Sequence, residues 1–352
     1  MQPVRLLILG TGGMAKNHAE HFAAIPGVTV VAGIDTRAEQ LATFQQAHNI
    51  PHGFPSVQDA VAWGEFDAVT NVTPDAAHYA TTMPFLAAGK HVLCEKPLAT
   101  NAKDAAEMAE AAAKAGVVNM VNLTYRNVPA LQKAAQMVRD GAIGTIRHFE
   151  ASYLQSWLTQ PAWGHWDKES QWLWRLSTKH GSKGVLGDVG IHILDFATFI
   201  AGMDATQISC LLQTFDKAPG GQIGEYVLDA NDSATMQVHL SNGALGTVAA
   251  TRFATGHLND LRLRLYGLTG GLEVRYEKGI SALRACLGEG DIKEGIWHDV
   301  DCPDVPTVYQ RFIAAIRKEG PAEPDFARGA ALQVLLDKAE ASAGEGGKLL
   351  TV

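Results

Sequence analysis

The run "VRLLILGTGGMAKNHAEHFAAI" at residues 4–25 constrains the chain more than any other segment. Its first part is a short, continuous apolar stretch ending in glycine, the pattern of a strand covered on both faces. Helical spacing begins at once afterwards. The turn reads G-x-G-x-x-A at Gly10, Gly12 and Ala15. Gly10 allows a tight turn, Gly12 lets the backbone approach a pyrophosphate, and Ala15 keeps helix and strand close. The N–H groups at the helix start then face the phosphates. Thr11, Gly13 and Met14 complete that turn as candidate cofactor contacts.

A second strand, "VTVVAGID", ends in Asp35, 20 residues beyond Ala15. A carboxylate there can bond the ribose diol of a dinucleotide. The competing reading is a cap on the helix of "TRAEQLATF". Arg37 lies two residues on and can take a 2′-phosphate, so NAD is expected and NADP is possible. The alternation continues through the strand "DAVTNVTP", the helix "AAHYATTMPFLAAG", the strand "KHVLCEKP", the helix "KDAAEMAEAAAKAG" and the strand "VVNMVNLT". Such repetition predicts an α/β doubly wound parallel sheet, a Rossmann domain over residues 1–123. Ligands sit beyond the carboxyl ends of its strands, where Thr73, Pro74, Glu95 and Lys96 fall.

These residues carry a resemblance. Gly10–Ala15, Asp35, "TPDAAH" (73–78), "GKHVLCEKPLA" (89–99) and "GDVGIHILD" (187–195) resemble the Gfo/Idh/MocA oxidoreductases, which include inositol and glucose dehydrogenases. The likeness runs over nearly the whole chain. It implies a nicotinamide cofactor, His78 among the residues of the cofactor site, an open and mainly antiparallel sheet in the second domain, and a site formed by Lys96, Asp188 and His192. One departure is Asp75, where relatives more often carry Asn.

A length of 352 residues suits two domains. From about residue 124 the grammar changes, and residues 124–352 read as an α+β substrate-binding and oligomerisation domain. Helices are expected at 129–140 and 189–201, among strands such as "RHFEASY", "ATMQVHL", "ALGTVAATRF", "LRLRLYG" and "GLEVRY". Ser241-Asn242-Gly243 reads as a hairpin turn. One apolar sheet face would be left uncovered, and a second copy of the chain is its expected cover, giving a homodimer or homotetramer.

The helix "GVLGDVGIHILDFATFIAG" (184–202) carries Asp188, His192 and Asp195 within an otherwise apolar run. At about 100° per residue the three share one stripe, beside an apolar face of Val189, Ile193, Phe196 and Ile200. Taken alone, the stripe could be a cap and a solvated i, i+3 pair. Taken with Lys96, it suits alcohol oxidation. His192 has the intrinsic pKa of a general base at neutral pH. Asp188 can hold a neighbouring hydroxyl, Lys96 can stabilise charge on the reacting oxygen, and Asp195 can orient His192.

Five of the seven tryptophans crowd one stretch: Trp157, Trp163, Trp166, Trp172 and Trp174. Such rings can stack on a sugar while Arg175 and Lys179 bond its hydroxyls, or they can simply pack. Trp174, Arg175 and Arg126 are the substrate-binding candidates, Arg126 with an ion pair between domains as its alternative.

The remaining inferences are exclusions. With 29 Lys and Arg against 37 Asp and Glu, the net charge is −8 and no basic run marks a nucleic-acid binder. Cys94, Cys210, Cys286 and Cys302 show no metal spacing, so no metal is expected. Reduced thiols and the lack of a signal or membrane-spanning run suggest a cytoplasmic protein. The expected activity is hydride transfer between NAD(P) and a sugar or cyclitol hydroxyl. The alternatives are an NAD-retaining glycosidase and a non-catalytic NAD-sensing regulator.

Overall fold

The computed structural model describes residues 2–352. The first elements in chain order are β1 (Val4–Leu9), α1 (Gly13–Ala23), β2 (Val28–Ile34), α2 (Ala38–His48), β3 (His52–Phe54), α3 (Val57–Trp63) and β4 (Ala68–Asn71). Then come α4 (His78–Ala87), β5 (His91–Cys94), α5 (Ala102–Ala115), β6 (Asn119–Val121), α6 (Pro129–Arg139), β7 (Ile146–Leu154), α7 (Ser170–Leu173) and α8 (Ile191–Ala201). Seven strands follow: β8 (Ala205–Gln213), β9 (Gln222–Ile223), β10 (Tyr226–Val227), β11 (Ser233–Leu240), β12 (Leu245–Thr251), β13 (Asp260–Gly267) and β14 (Gly270–Glu277). The chain closes with β15 (Ile280–Leu287), α9 (Gly288–Glu294), β16 (His298–Asp299), α10 (Val308–Ile316), α11 (Phe326–Gly344) and β17 (Leu350–Thr351).

Two compact units form. One comprises residues 1–124 with Pro306–Gln333, the other Tyr125–Val305 with Val334–Val352. The first holds a six-stranded sheet in the order β3-β2-β1-β4-β5-β6, every pair parallel. Along β1, Val4, Leu6, Leu7, Ile8 and Leu9 are all buried, as the unbroken apolar run requires of a strand covered on both faces.

The first unit is not continuous in sequence, unlike the expected division at 123/124. Pro306–Gln333 belongs with the Rossmann unit rather than with residues 125–305. The cause is hydrophobic. In α10, Val308, Tyr309, Phe312, Ile313 and Ile316 line one helical face and pack with Val4, Leu6, Phe22, Leu93 and Met120. A capping box of Thr307 and Gln310 starts that helix. Tyr309 stacks on His21 at 4.5 Å and meets Phe22 edge-on at 5.3 Å.

The second unit holds a nine-stranded sheet, β16-β15-β14-β13-β7-β12-β11-β8-β17. It is antiparallel except where β12 runs parallel to β7. The turn at 241–243 joins β11 to β12 as expected. Helices α6 and α8 cover one face, onto which Phe149, Ala151, Leu263 and Val274 point.

The other face is not apolar. Glu150, Arg264, Glu273, Arg284 and Asp299 are register partners across five strands, and Arg264 pairs with both Glu150 and Glu273. The period-2 alternation of Leu with Arg in "LRLRLYG" puts the charges on this side. Half-exposed pairs of this kind contribute little stability.

Phe312→Ala is expected to destabilise the Rossmann unit by about 3–5 kcal/mol. Thermal or urea denaturation followed by circular dichroism checks this; an unchanged midpoint would show that α10 is not part of that core.

Candidate active site

The cofactor end of the first unit is built around Gly10. Its φ is +91°, and a Cβ there would lie 3.1 Å from the carbonyl carbon and oxygen of Val72. Only glycine fits. By contrast, a Cβ added at Gly12 or Gly13 would meet nothing within 4 Å, so the backbone at the start of α1 faces open space. Gly12 is the N-cap and supplies no side chain to the helix end. Met14 is half-exposed beside it, and Ala15 is buried against the strand. A cradle with free space, a helix N-terminus and no competing side chain fits a pyrophosphate.

Asp35 is held ready beside it. Thr11 donates its N–H at 3.0 Å and its hydroxyl at 2.7 Å to Oδ2. Arg37 donates its backbone N–H at 2.9 Å and Nε at 3.1 Å to Oδ1, and Nη2 at 3.1 Å to Oδ2. Burial opposes the charge, but the Arg37 and Thr11 hydrogen bonds prevail and hold the carboxyl well below its usual range. Asp35 is therefore ionised at every working pH and does not cap α2, whose N-cap is Arg37.

Thr73 and Pro74 follow β4, and Glu95 and Lys96 follow β5, at the carboxyl ends of the strands. Asn71 Oδ1 accepts from the Thr73 N–H at 3.1 Å and hydroxyl at 2.7 Å. The polar atoms of two expected cofactor contacts turn inward. His78 is bonded to backbone carbonyls. Glu95 Oε1 accepts from Asn122 at 2.6 Å and lies 2.8 Å from His18 Nε2. Burial raises the Glu95 carboxyl, but His18, Asn122 and Lys96 together bring it down to about 2.

In the second unit, the segment before α8 departs from the expected helix. Leu186–Gly190 is a π turn, wider than an α turn, so Asp188 does not keep α-helical phase with His192 and Asp195. Gly187 makes this possible, since a Cβ there would collide with the Cβ of Lys183. The helix is also buried almost all round, His192 and Asp195 included, which removes the solvated-face reading.

The two acids face different arginines. Asp188 accepts from Arg175 Nη1 at 3.3 Å and Arg252 Nη2 at 3.1 Å. Arg252 is fully buried and also donates to the Arg175 carbonyl at 3.1 Å. Both oxygens of Asp195 accept from Arg126, at 2.6 and 2.8 Å, and the Phe199 ring lies 3.5 Å from that guanidinium. Asp195 is thus a partner of Arg126 within this unit. The Arg126–Asp195 pair is bidentate, buried and formed inside one unit.

Rings surround His192. Tyr125 meets it edge-to-face at 4.9 Å, and Tyr153 lies at 6.4 Å. The two phenols share a hydrogen bond, and Tyr153 donates to Asn259 at 2.8 Å. Burial raises both phenols, so they stay neutral donors.

Of the tryptophans, Trp157, Trp163, Trp166 and Trp172 pack with Leu158, Leu173, Leu176 and Leu228 in one cluster, the packing reading. Trp174 instead lies under Arg175, 4.7 Å from its guanidinium. Lys179 is exposed on the surface. Sequence reasoning missed Arg252, Tyr125 and Tyr153. The one available signal was an arginine closing the small, apolar strand "TVAAT".

A nucleotide turn with a fixed acidic residue defines a dinucleotide-binding protein, and the family it matches makes it a nicotinamide-dependent oxidoreductase. Residues 4–123 match the oxidoreductase family with NAD-binding Rossmann fold, and residues 131–273 match the GFO/IDH/MocA C-terminal domain. The chain belongs to the GFO/IDH/MocA family of NAD-binding oxidoreductases. It is 27% identical to levoglucosan dehydrogenase of Pseudarthrobacter phenanthrenivorans, over 79% of this chain and 75% of that one. It is 36% identical to an NADP-dependent scyllo-inositol 2-dehydrogenase of Bacillus subtilis, over 43% of this chain and 46% of the relative. A crystal structure of an oxidoreductase domain protein from Kribbella flavida superposes with a TM-score of 0.88 at 29% identity, covering 100% of both chains. Among the described residues, no helix is long and apolar enough to cross a membrane.

Asp35→Ala is expected to weaken NAD binding and narrow the gap to NADP, while Arg37→Ala should widen it by removing the guanidinium that can meet a 2′-phosphate. Dissociation constants for both dinucleotides check this. A higher NADP affinity in the wild type would overturn the preference.

Proposed function

We propose that the protein is an NAD-preferring dehydrogenase that oxidises a hydroxyl group of a sugar or cyclitol, with Lys96, Asp188 and His192 as its catalytic residues. The supporting observation is the Asp188 carboxylate, fixed at 3.3 and 3.1 Å by two guanidinium groups one turn before His192. A carboxylate so held is a rigid acceptor for one substrate hydroxyl. The levoglucosan and inositol dehydrogenases among its relatives point to the same substrate class.

Bound NAD supplies the hydride acceptor; the Gly10–Ala15 turn, Asp35 and Thr73 hold it. Lys96 donates to the reacting oxygen and stabilises the charge that grows there. His192 takes the hydroxyl proton on a ring nitrogen as the C–H bond breaks. The neutral phenols of Tyr125 and Tyr153 keep that ring in one orientation. Trp174 and Arg175 contribute an apolar face and a donor to the sugar.

His192→Asn should leave folding and NAD affinity nearly intact and lower turnover by about 10²–10⁴-fold. The wild-type oxidation rate should rise with pH as the imidazole loses its proton. Levoglucosan, inositols and aldoses are the panel, and NADH absorbance is the readout. One NADH per alcohol oxidised separates net dehydrogenation from a glycosidase that oxidises only transiently. A variant that keeps most of its activity on the best substrate would remove His192 from the mechanism.

We also propose a cytoplasmic homodimer or homotetramer. All four cysteines are free thiols. Light scattering at micromolar concentration tests this, and a monomer mass would contradict it.

A further inference from the structure

His78 opens α4 and is fully buried. Its Nδ1 lies 2.7 Å from the Pro97 carbonyl oxygen, and its Nε2 lies 2.9 Å from the Thr73 carbonyl oxygen. Carbonyl oxygens only accept hydrogen bonds. A neutral imidazole has a single N–H, so it would satisfy one of the two and point a lone pair at the other. An imidazolium has two N–H groups and satisfies both. A lone pair 2.7 or 2.9 Å from a carbonyl oxygen would repel it, and burial leaves the ring no water to bond instead.

We propose that His78 is a resident imidazolium that cross-links the Thr73–Pro74 turn to the Lys96–Pro97 turn and so positions the residues that meet the cofactor. It acts on the reaction through these backbones and is a positioning residue. Strands β4 and β5 pair as far as Asn71 and Cys94; His78 links the turns beyond that ladder. The link reaches the dinucleotide turn as well, because a Cβ on Gly10 would lie 3.2 Å from the Thr73 nitrogen. A shift of Thr73 would be felt there.

The surroundings suit the cation. Burial works against the charge, yet Cys94 at the end of β5, Asp75 in the turn before α4 and the Pro97 carbonyl outweigh it, raising the ring from 6.5 to about 10. In the unfolded chain His78 has lost its proton above about pH 6.5. Between there and about pH 10 the folded protein keeps a proton that the unfolded chain has released. Stability from this group is therefore complete below that window and is lost as pH rises through it.

The inference rests on the reading of Thr73, Pro74 and Lys96 as cofactor-facing, and its test separates the two. In wild-type protein labelled with ¹⁵N-histidine, both ring nitrogens of His78 should carry protons from about pH 7 to about pH 9. His78→Gln, whose amide offers two N–H groups without a charge, assigns the signals; His78→Asn serves if that variant does not fold. A singly protonated His78 in this range overturns the proposal whatever the variants do. The dissociation constant of NAD⁺, measured without substrate, should rise about tenfold in His78→Gln, as the loss of charge-assisted hydrogen bonding implies. The fall in wild-type melting temperature with rising pH should be shallower in that variant. A doubly protonated ring with unchanged NAD⁺ affinity in the variant would remove the positioning role. Failure of the dehydrogenase reading would show separately, as wild-type protein that binds NAD⁺ but forms no NADH.

Discussion

The geometry of the cofactor end depends on how closely the chain after β1 passes the chain after β4. β1 lies between β2 and β4, where the strand order reverses, and that is where an open parallel sheet receives its ligand. Gly10 donates its N–H to Ile34 at 2.8 Å, and Val72 donates to Leu9 at 2.9 Å. With the end of β1 stitched to both neighbours, there is no room for a side chain at Gly10. The next residue, Thr11, then presents both its N–H and its hydroxyl to Asp35. The orientation of Asp35 is thus a consequence of backbone packing one residue earlier, and Arg37 completes it from the other side.

In the second unit the equivalent constraint is electrostatic. Its buried acids Asp195, Asp232 and Asp260 meet Arg126, Lys217 and Arg262, the Asp232–Lys217 pair wholly buried, and the partly exposed Asp188 meets Arg252 and Arg175. Buried pairs add little net stability compared with apolar packing, but losing one partner strands a charge. Their effect is to fix position. Arg126 ties the body of α8 to the segment leading into α6, and Arg252 ties the π turn to the end of β12. His192 lies between these two anchor points along the chain, with Tyr125 against its ring. A helix as apolar as α8 could otherwise slide or rotate with little change in burial.

Local pattern made the Rossmann unit legible. Unbroken apolar runs, glycine turns and alternating periods describe β1, β2, β4, β5 and their helices well, because each is decided by neighbours in sequence. The placement of Pro306–Gln333 was not legible. An amphipathic helix shows that it has an apolar face, but not which core will receive it; Phe312 packs on Phe22, which lies nearly 300 residues away along the chain. The charged row on the large sheet was present in "LRLRLYG" and "GLEVRY". An apolar open face could be expected only by reading those strands for their buried half.

The three polar residues of 184–202 show where periodicity reasoning fails. Counting at a fixed angle assumes one helical geometry throughout, and the glycines in "LGDVG" are what break that assumption. Without a Cβ at Gly187, the backbone can close on Lys183 more tightly than any side chain there would allow, and the turn widens. Asp188 then reaches Arg252 and Arg175, while Asp195, one α-helical turn beyond His192, reaches Arg126. A strict stripe would have set both acids on one line with the imidazole, competing for the same surroundings. The widened turn instead sets Asp188 against Arg252 and Arg175 and leaves Asp195 against Arg126, the separation on which the proposed division of roles between Asp188 and His192 draws.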